Sequence, residues 1–392
     1  MKTQNSRRRF LATSSLVLAG TASSLFARSA GTSTSSSSPS SRARLGMRVG
    51  SDVDKLAVKH KGPLAVLDYL HSQRFDGAFF RLMFDLSPAL DSGELKEIKS
   101  HANSLGMFLD SGVGWMNPYN TAERPDIRRF GDGDYRLAIE KMLTAARLID
   151  CTELWAVSAH SVHGDPFYVA YDRFRTDVSW EDQLAAMTKF ISSLAPMLRD
   201  LQLRINLETH GDETSFELLR LIEQVGPECV GVTLDTGNLP LEADLPRDAI
   251  NRLAPYVHLT HCKDGILYKT GQGIVQQIRT LGEGIIDWDS VIDVLGKHNP
   301  DLHLCLEDYR AENLLRFYDS KWRARFPELS EADIREFERL AAMCEQKIQR
   351  GEIMGVDDYR KLPWGEQERE LSYREGAAYL RKIMRAKGDP GK

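Results

Sequence analysis

From residue 47 onward, short apolar runs alternate with stretches of helical period, and the alternation persists to about residue 308. Eight runs read as strands: residues 47–50, 77–82, 107–113, 153–158, 204–208, 230–234, 257–261 and 303–307. Each is apolar almost throughout, the pattern of parallel strands covered on both faces. The segments between them carry one-sided apolar stripes. The clearest, residues 179–200, puts Leu184, Met187, Ile191, Leu194 and Leu198 on one face, with Ser179 and Asp182 as its N-terminal cap and Pro196 as a kink. Another, residues 134–149, carries Leu137, Met142, Ala145 and Leu148 and leads into the fourth strand. Eight strand–helix repeats in a chain of 392 residues predict an α/β fold, a (β/α)8 TIM barrel spanning residues 47–392.

The tail departs from a minimal barrel. Some sixty residues separate Glu307 from a helix read as starting at Ser372, with Glu375 three positions on and Ala378, Leu380 and Ile383 along it. The expectation is a closing helix at about 372–386 and a helical insertion after strand eight at about 311–370. Within the insertion Ser330 and Asp333 open a helix with Ile334, Phe337, Leu340, Cys344 and Ile348 on one side. It leaves from the end of the barrel where chemistry is expected, so it either walls a site or serves as a flank or subunit contact.

Composition narrows the class. Residues 1–45 hold several basic residues and no acidic ones, so the formal net charge of -5 understates the acidity of the remainder. An acidic protein without basic runs is a poor nucleic-acid binder. The start, Ser6-Arg7-Arg8-Arg9-Phe10-Leu11 and an apolar stretch to Phe26, resembles a twin-arginine export signal, too short and too rich in Ser and Thr to span a bilayer. The expected organisation is a signal at 1–30, a flexible Ser/Thr/Pro tether at 31–46, and a periplasmic or otherwise exported protein with no stable membrane span. The five cysteines, Cys151, Cys229, Cys262, Cys305 and Cys344, show no paired spacing and read as buried thiols.

In a TIM barrel, chemistry sits where strands end. Strand five ends in Glu208-Thr209-His210, strand six in Asp235-Thr236-Gly237-Asn238, strand seven in His261-Cys262-Lys263-Asp264, and strand eight in Glu307-Asp308. An acidic residue at one strand end often only caps the next helix. Four consecutive strands delivering three carboxylates and an imidazole to one rim require a counter-charge, which a divalent cation supplies. Mixed oxygen and nitrogen ligation points to Mn2+ first, with Mg2+, Co2+ or Zn2+ as alternatives. Glu208, Asp235, His261 and Glu307 are therefore the candidate metal ligands.

These segments, together with Gly282-Glu283-Gly284, resemble the xylose isomerase-like superfamily of sugar isomerases and epimerases: Glu-x-His, an Asp before a small turn, His-x-Lys-Asp, Gly-Glu-Gly and a final Glu, in that order from about residue 204 to 307. The resemblance implies a metal-dependent isomerase or epimerase in which Glu208 and Glu307 are also the acid/base pair, exchanging a proton beside a carbonyl through an enediolate. Asp235 and His261 would only hold the ion. His210, Lys263 and Asn238 would meet substrate oxygens or brace the ligands. Arg81, Trp115, His160 and His163, at earlier strand ends, would line the sugar pocket or serve as scaffold. Asn238 stands where the family often has His, which weighs against a multi-zinc nuclease of the same superfamily. The Gly-Glu-Gly turn is read as positioning the loop before a helix capped by Asp287. The implied partner is a small carbohydrate; self-association is left open. A lyase or dehydratase acting on an inosose or 3-keto-glycoside shares the proton abstraction, and a non-catalytic sugar-binding protein shares only the barrel.

Overall fold

The computed structural model describes residues 43–49, 61–121, 124–158, 172–307 and 309–387. The expected signal, the tether up to residue 42, His160 and His163 lie outside the described residues. The eight apolar runs become β1 (Arg44–Val49), β2 (Gly77–Phe80), β3 (Phe108–Trp115), β4 (Glu153–Val157), β5 (Arg204–Glu208), β6 (Val230–Asp235), β7 (Val257–His261) and, after a hairpin of β8 (Asp264–Thr270) and β9 (Gly273–Arg279), β10 (His303–Leu306). They form one parallel sheet in the order β10-β1-β2-β3-β4-β5-β6-β7. Between β7 and β10 there is one parallel backbone bridge, Cys262 to Leu306, where Cys262 N donates to Cys305 O at 2.7 Å and Glu307 N to Cys262 O at 3.2 Å, and Thr260 Oγ1 adds to it by accepting from Cys305 N at 3.0 Å and donating to His303 O at 2.8 Å. The result is a nearly closed TIM barrel with helices around it. Because both faces are covered, its strands bury nearly every side chain, which is why they read as continuous apolar runs.

Three expectations need correction. β1 begins at Arg44, within the stretch assigned to the tether: Leu45 is buried, and the Arg44 guanidinium donates to the carbonyls of Asp76 and Gly106 and lies over the Phe108 ring. In the helix Tyr135–Leu148 the buried face is Ala138, Ile139, Met142, Ala145 and Ala146, while Leu137 and Leu148 are exposed on another side. The last helix runs Glu366–Ala386, so Ser372 is an interior residue whose hydroxyl meets that of Thr280, at 2.7 Å, instead of capping a helix start. The helix Trp180–Leu201 starts as expected, with Ser179 Oγ accepting from Asp182 N, and continues through Pro196.

The hairpin β8–β9 went unread in the sequence. It joins β11 (Glu312–Leu315) in a three-stranded antiparallel sheet of order β11-β9-β8. The helix Glu331–Gln349, capped by Ser330 and Asp333, packs over this sheet and closes a second apolar cluster around Leu267, Ile274, Phe317, Trp322, Phe326 and Phe337. All five cysteines are buried and unpaired. No helix of the described residues is long and apolar enough to cross a membrane.

Candidate metal centre

Parallel strands share one polarity, so their C-terminal residues emerge on one rim. Glu208 closes β5, Asp235 closes β6, His261 closes β7 and Glu307 follows β10, and Asp235 and His261 are directly paired in register. The four offer one ligand atom each, all within 4.8 Å of one another, and all four side chains are buried. His261 Nδ1 lies 2.9 Å from Glu208 Oε1, 3.2 Å from Glu307 Oε2 and 4.0 Å from Asp235 Oδ2. Its Nε2 is buried with no hydrogen-bond partner, and the ring is held in place by the face of Phe79, 4.8 Å away between centroids. Burial lowers the His261 pKa against the pull of Glu208 and Glu307. A neutral imidazole aiming Nδ1 at three buried carboxylates is a donor set that fits a divalent cation of the Mn2+ or Mg2+ type.

Each ligand is braced. Trp155, interior to β4, donates its Nε1 proton to Glu208 Oε2 at 2.6 Å. Asp235 Oδ1 accepts from Gly237 N at 3.0 Å, and Oδ2 accepts from Asn238 Nδ2 at 2.9 Å. Asn238 is thus placed on a metal-ligand carboxylate. Arg48, in β1, pairs with Glu307 Oε1 at 2.9 Å. Lys263 spans two ligands, with Nζ 2.6 Å from Asp235 Oδ2 and 3.3 Å from Glu307 Oε2, and its ammonium sits 4.7 Å from the Tyr309 ring centroid. Gly237 leaves room for it: a Cβ there would come within 2.5 Å of Lys263 Cβ.

The charges set the protonation states. Burial raises the Glu208 carboxyl, but His261, His210 and Lys263 outweigh it and hold the pKa well below the usual carboxylate range. Burial likewise opposes Arg48, Lys263 and His261 at Glu307, which ends at about 2. Asp235 goes the other way: burial, with Glu208 and Glu307 beside it, raises it well above normal despite Lys263. Against burial, Glu208 and Asp212 bring His210 up to about 9, so it is a cation at neutral pH, with Nδ1 3.6 Å from Asp212 Oδ2.

Asp264, next to Lys263, accepts from the backbone N–H groups of Gly265, Gly282 and Ile286 and from Trp288 Nε1. A Cβ on Gly284 would lie 2.0 Å from Asp264 Oδ1. The Gly-Glu-Gly turn therefore folds over this carboxylate and delivers the chain to the helix Trp288–His298, whose cap is Asp287. Farther round the rim, Trp115 ends β3 and Arg81 follows β2; one face of the Trp115 ring is taken by Arg124, 3.7 Å from its centroid.

Sequence reasoning missed Trp155, Arg48 and Glu213. Trp155 looked like one more apolar strand residue; Arg48 was the better signal, a charge inside an apolar strand. Glu213, past the end of β5, is fully buried; Ser158 donates to its Oε2 while Oε1 has no partner. Burial and then Asp212 raise its pKa to about 8. A raised carboxyl pKa means stability that is complete below the unfolded value, about 4.3, and lost as pH climbs through 8. Glu213→Gln, which imitates the protonated form, is expected to raise the melting temperature at pH 9 by on the order of 2 °C or more relative to wild type, and to change it little at pH 5. Equal shifts at the two pH values, in paired thermal melts, would rule this out.

Comparison with known proteins agrees with this fold. The family model described as xylose isomerase-like TIM barrel matches residues 73–331. The uncharacterized protein YihM of Escherichia coli is 22% identical over 224 residues, a match spanning 57% of this chain and 66% of that protein. A solved D-psicose 3-epimerase, crystallised in the presence of D-fructose, superposes with a TM-score of 0.51 at 17% identity, covering 76% of this chain and 99% of its own. The 3-keto-D-glucoside 4-epimerase YcjR from E. coli gives 0.50 at 14% identity, with 74% and 99% covered.

Proposed function

Because the chain belongs to the xylose isomerase-like TIM barrel family, we propose that it is a divalent-metal-dependent isomerase or epimerase of a small carbohydrate, moving a proton on the carbon beside a carbonyl. The observation that carries this reading is the placement of Glu208 and Glu307. They come from strands three apart round the barrel, and both reach His261 Nδ1, at 2.9 and 3.2 Å. Two ionised carboxylates, both reaching His261 from separate strands, could take a proton from one face of a substrate carbon and return it to the other. When bound by Glu208, Asp235, His261 and Glu307, a divalent cation supplies Lewis acidity toward the carbonyl. Lys263 and the cationic His210 provide donors for oxygens that gain charge as the proton leaves. Trp155 and Arg48 fix the orientation of the two glutamates, so that neither carboxylate rotates away when a proton arrives.

The test has two parts. Metal analysis of the purified protein is expected to find about one divalent ion per chain, by the single four-ligand cluster among the described residues. Incubation with keto-sugars in D2O is expected to return product of substrate skeleton carrying deuterium beside the carbonyl. Release of water or an aglycone would replace the isomerase with a lyase that uses the same base. A protein with neither metal nor exchange would be a binding protein.

A further inference from the structure

The metal ligands occupy the ends of β5, β6, β7 and β10. The ends of β1 to β3 carry a different chemistry. Arg48 lies in β1, Arg81 follows β2, and Arg124 lies in the loop after β3. Arg48 is engaged by Glu307. Arg81 is not so engaged: among the described residues its side chain makes no hydrogen bond and no ion pair, its guanidinium carbon lies 6.0 Å from the Trp115 ring centroid, and Asp85 and then Asp126 attract its charge without pairing with it. Arg124 lies against the same ring at 3.7 Å. Its Nη2 pairs with Asp126 at 2.9 Å toward the surface, but its Nε is buried with no partner. Trp115 itself is 5% exposed, and its Nε1 is also buried with no partner.

Arginine and tryptophan side chains donate and do not accept. Arg81, Arg124 and the indole that both lie against thus present N–H donors without a matching acceptor among the described residues; Arg124 Nε and Trp115 Nε1 are the buried ones, and Arg81 is part-exposed. Buried donors left unmatched in a folded protein call for an occupant. Two carboxylates stand nearby, Asp126 paired with Arg124 Nη2 and Asp85 accepting from the backbone N–H of Leu82; both attract the Arg81 charge, but among the described residues neither accepts a hydrogen bond from Arg81, Arg124 Nε or Trp115 Nε1. What fits is an acceptor-only, negatively charged group. The ring also links this nest to the metal centre: Trp115 meets Trp155 edge-on at 6.2 Å, and Trp155 donates to Glu208.

We propose that the substrate is an anionic sugar, whose carboxylate or phosphate is held by Arg81, Arg124 and Trp115 while its carbonyl end faces Glu208 and Glu307. This rests on the isomerase reading for the second half of the statement only. The nest selects acidic sugars over neutral ones, and it reads the face of Trp115 as a platform for Arg124, with the indole N–H turned to the ligand.

The test compares three ketoses that differ only at carbon six: D-fructose, D-fructuronate and D-fructose 6-phosphate, titrated calorimetrically into metal-loaded protein. At least one charged sugar is expected to bind about tenfold tighter than fructose or better, as charge-assisted hydrogen bonds do; which one does distinguishes a carboxylate from a phosphate site. Arg81→Gln and Arg124→Gln are each expected to remove most of that advantage, lowering the affinity for the charged sugar far more than that for fructose. Trp115→Phe, which keeps the ring, is expected to weaken the charged sugar severalfold. Inorganic phosphate or acetate, at constant ionic strength, is expected to compete with the charged sugar on unaltered protein, a readout that needs no variant to fold. Equal affinities for all three sugars, including none measurable, or an advantage that survives both arginine changes, overturns the proposal. These are binding ratios, so a protein that prefers the acid yet exchanges no deuterium would sink the isomerase reading and leave the anion site standing.

Discussion

Replacing Glu307 by glutamine is expected to cut turnover by about a thousandfold or more and to confine proton exchange to one face of the substrate. The side chain keeps its shape but can no longer accept a proton, and its contacts make the loss specific. Oε1 is fixed by Arg48 at 2.9 Å, and Oε2 sits 3.2 Å from His261 Nδ1 and 3.3 Å from Lys263 Nζ. Arg48, Lys263 and His261 overcome burial to hold the carboxyl at about 2, so at neutral pH it is ionised and free of a proton. Glu307→Gln should therefore let Glu208 wash deuterium into one epimer without forming the other, and Glu208→Gln should give the mirror result. Turnover has to be measured at saturating metal, because the substitution also removes one of three negative charges around the ion. Epimerisation within tenfold of wild type in Glu307→Gln would exclude it as an acid or base.

The second large effect is on stability. Lys263 is 4% exposed and reaches both Asp235 and Glu307, and against the cost of burial these two, with Tyr309, drive its pKa well above normal. Lys263→Met leaves those carboxylates without it, and breaking a buried pair by removing one partner costs about 3 kcal/mol or more. A divalent cation at the quartet answers the same charge. Urea unfolding is thus expected to show a large loss for Lys263→Met without metal and a partial recovery with Mn2+, the metal-induced gain being larger in the variant than in wild type. Identical gains would mean that Lys263 and the ion do not share a field.

The barrel was legible because a strand buried on both faces has to be apolar along its length, and the quartet because polar residues ended four such strands in succession. Neither argument depends on neighbours. What stayed hidden did. Trp155 is apolar in sequence, and only the position of its N–H beside Glu208 gives it a role. Leu137 and Leu148 were placed on the wrong side of their helix because Ala138 and Ala146, small enough to sit against the barrel, carry little weight in a hydrophobic stripe. The hairpin β8–β9 is announced by Gly271-Gln272-Gly273 between two apolar runs, but an expected repeat of one strand and one helix passes over it. Ser372 looked like a cap because Ser-x-x-Glu marks helix starts, and the pattern holds no information on whether the chain is already helical six residues earlier.

That overlooked hairpin has a mechanical consequence. The barrel is joined between β7 and β10 by one backbone bridge and the Thr260 hydroxyl, at the point where His261 and Glu307 emerge. β8 continues directly from β7, β11 follows β10, and β9 is hydrogen-bonded to both, four register pairs to β11 and seven to β8. The small sheet is a suture across the barrel's weakest joint. A chain trimmed of it would keep eight strands and lose the strand pairing that ties together the ends of β7 and β10, where His261 and Glu307 emerge.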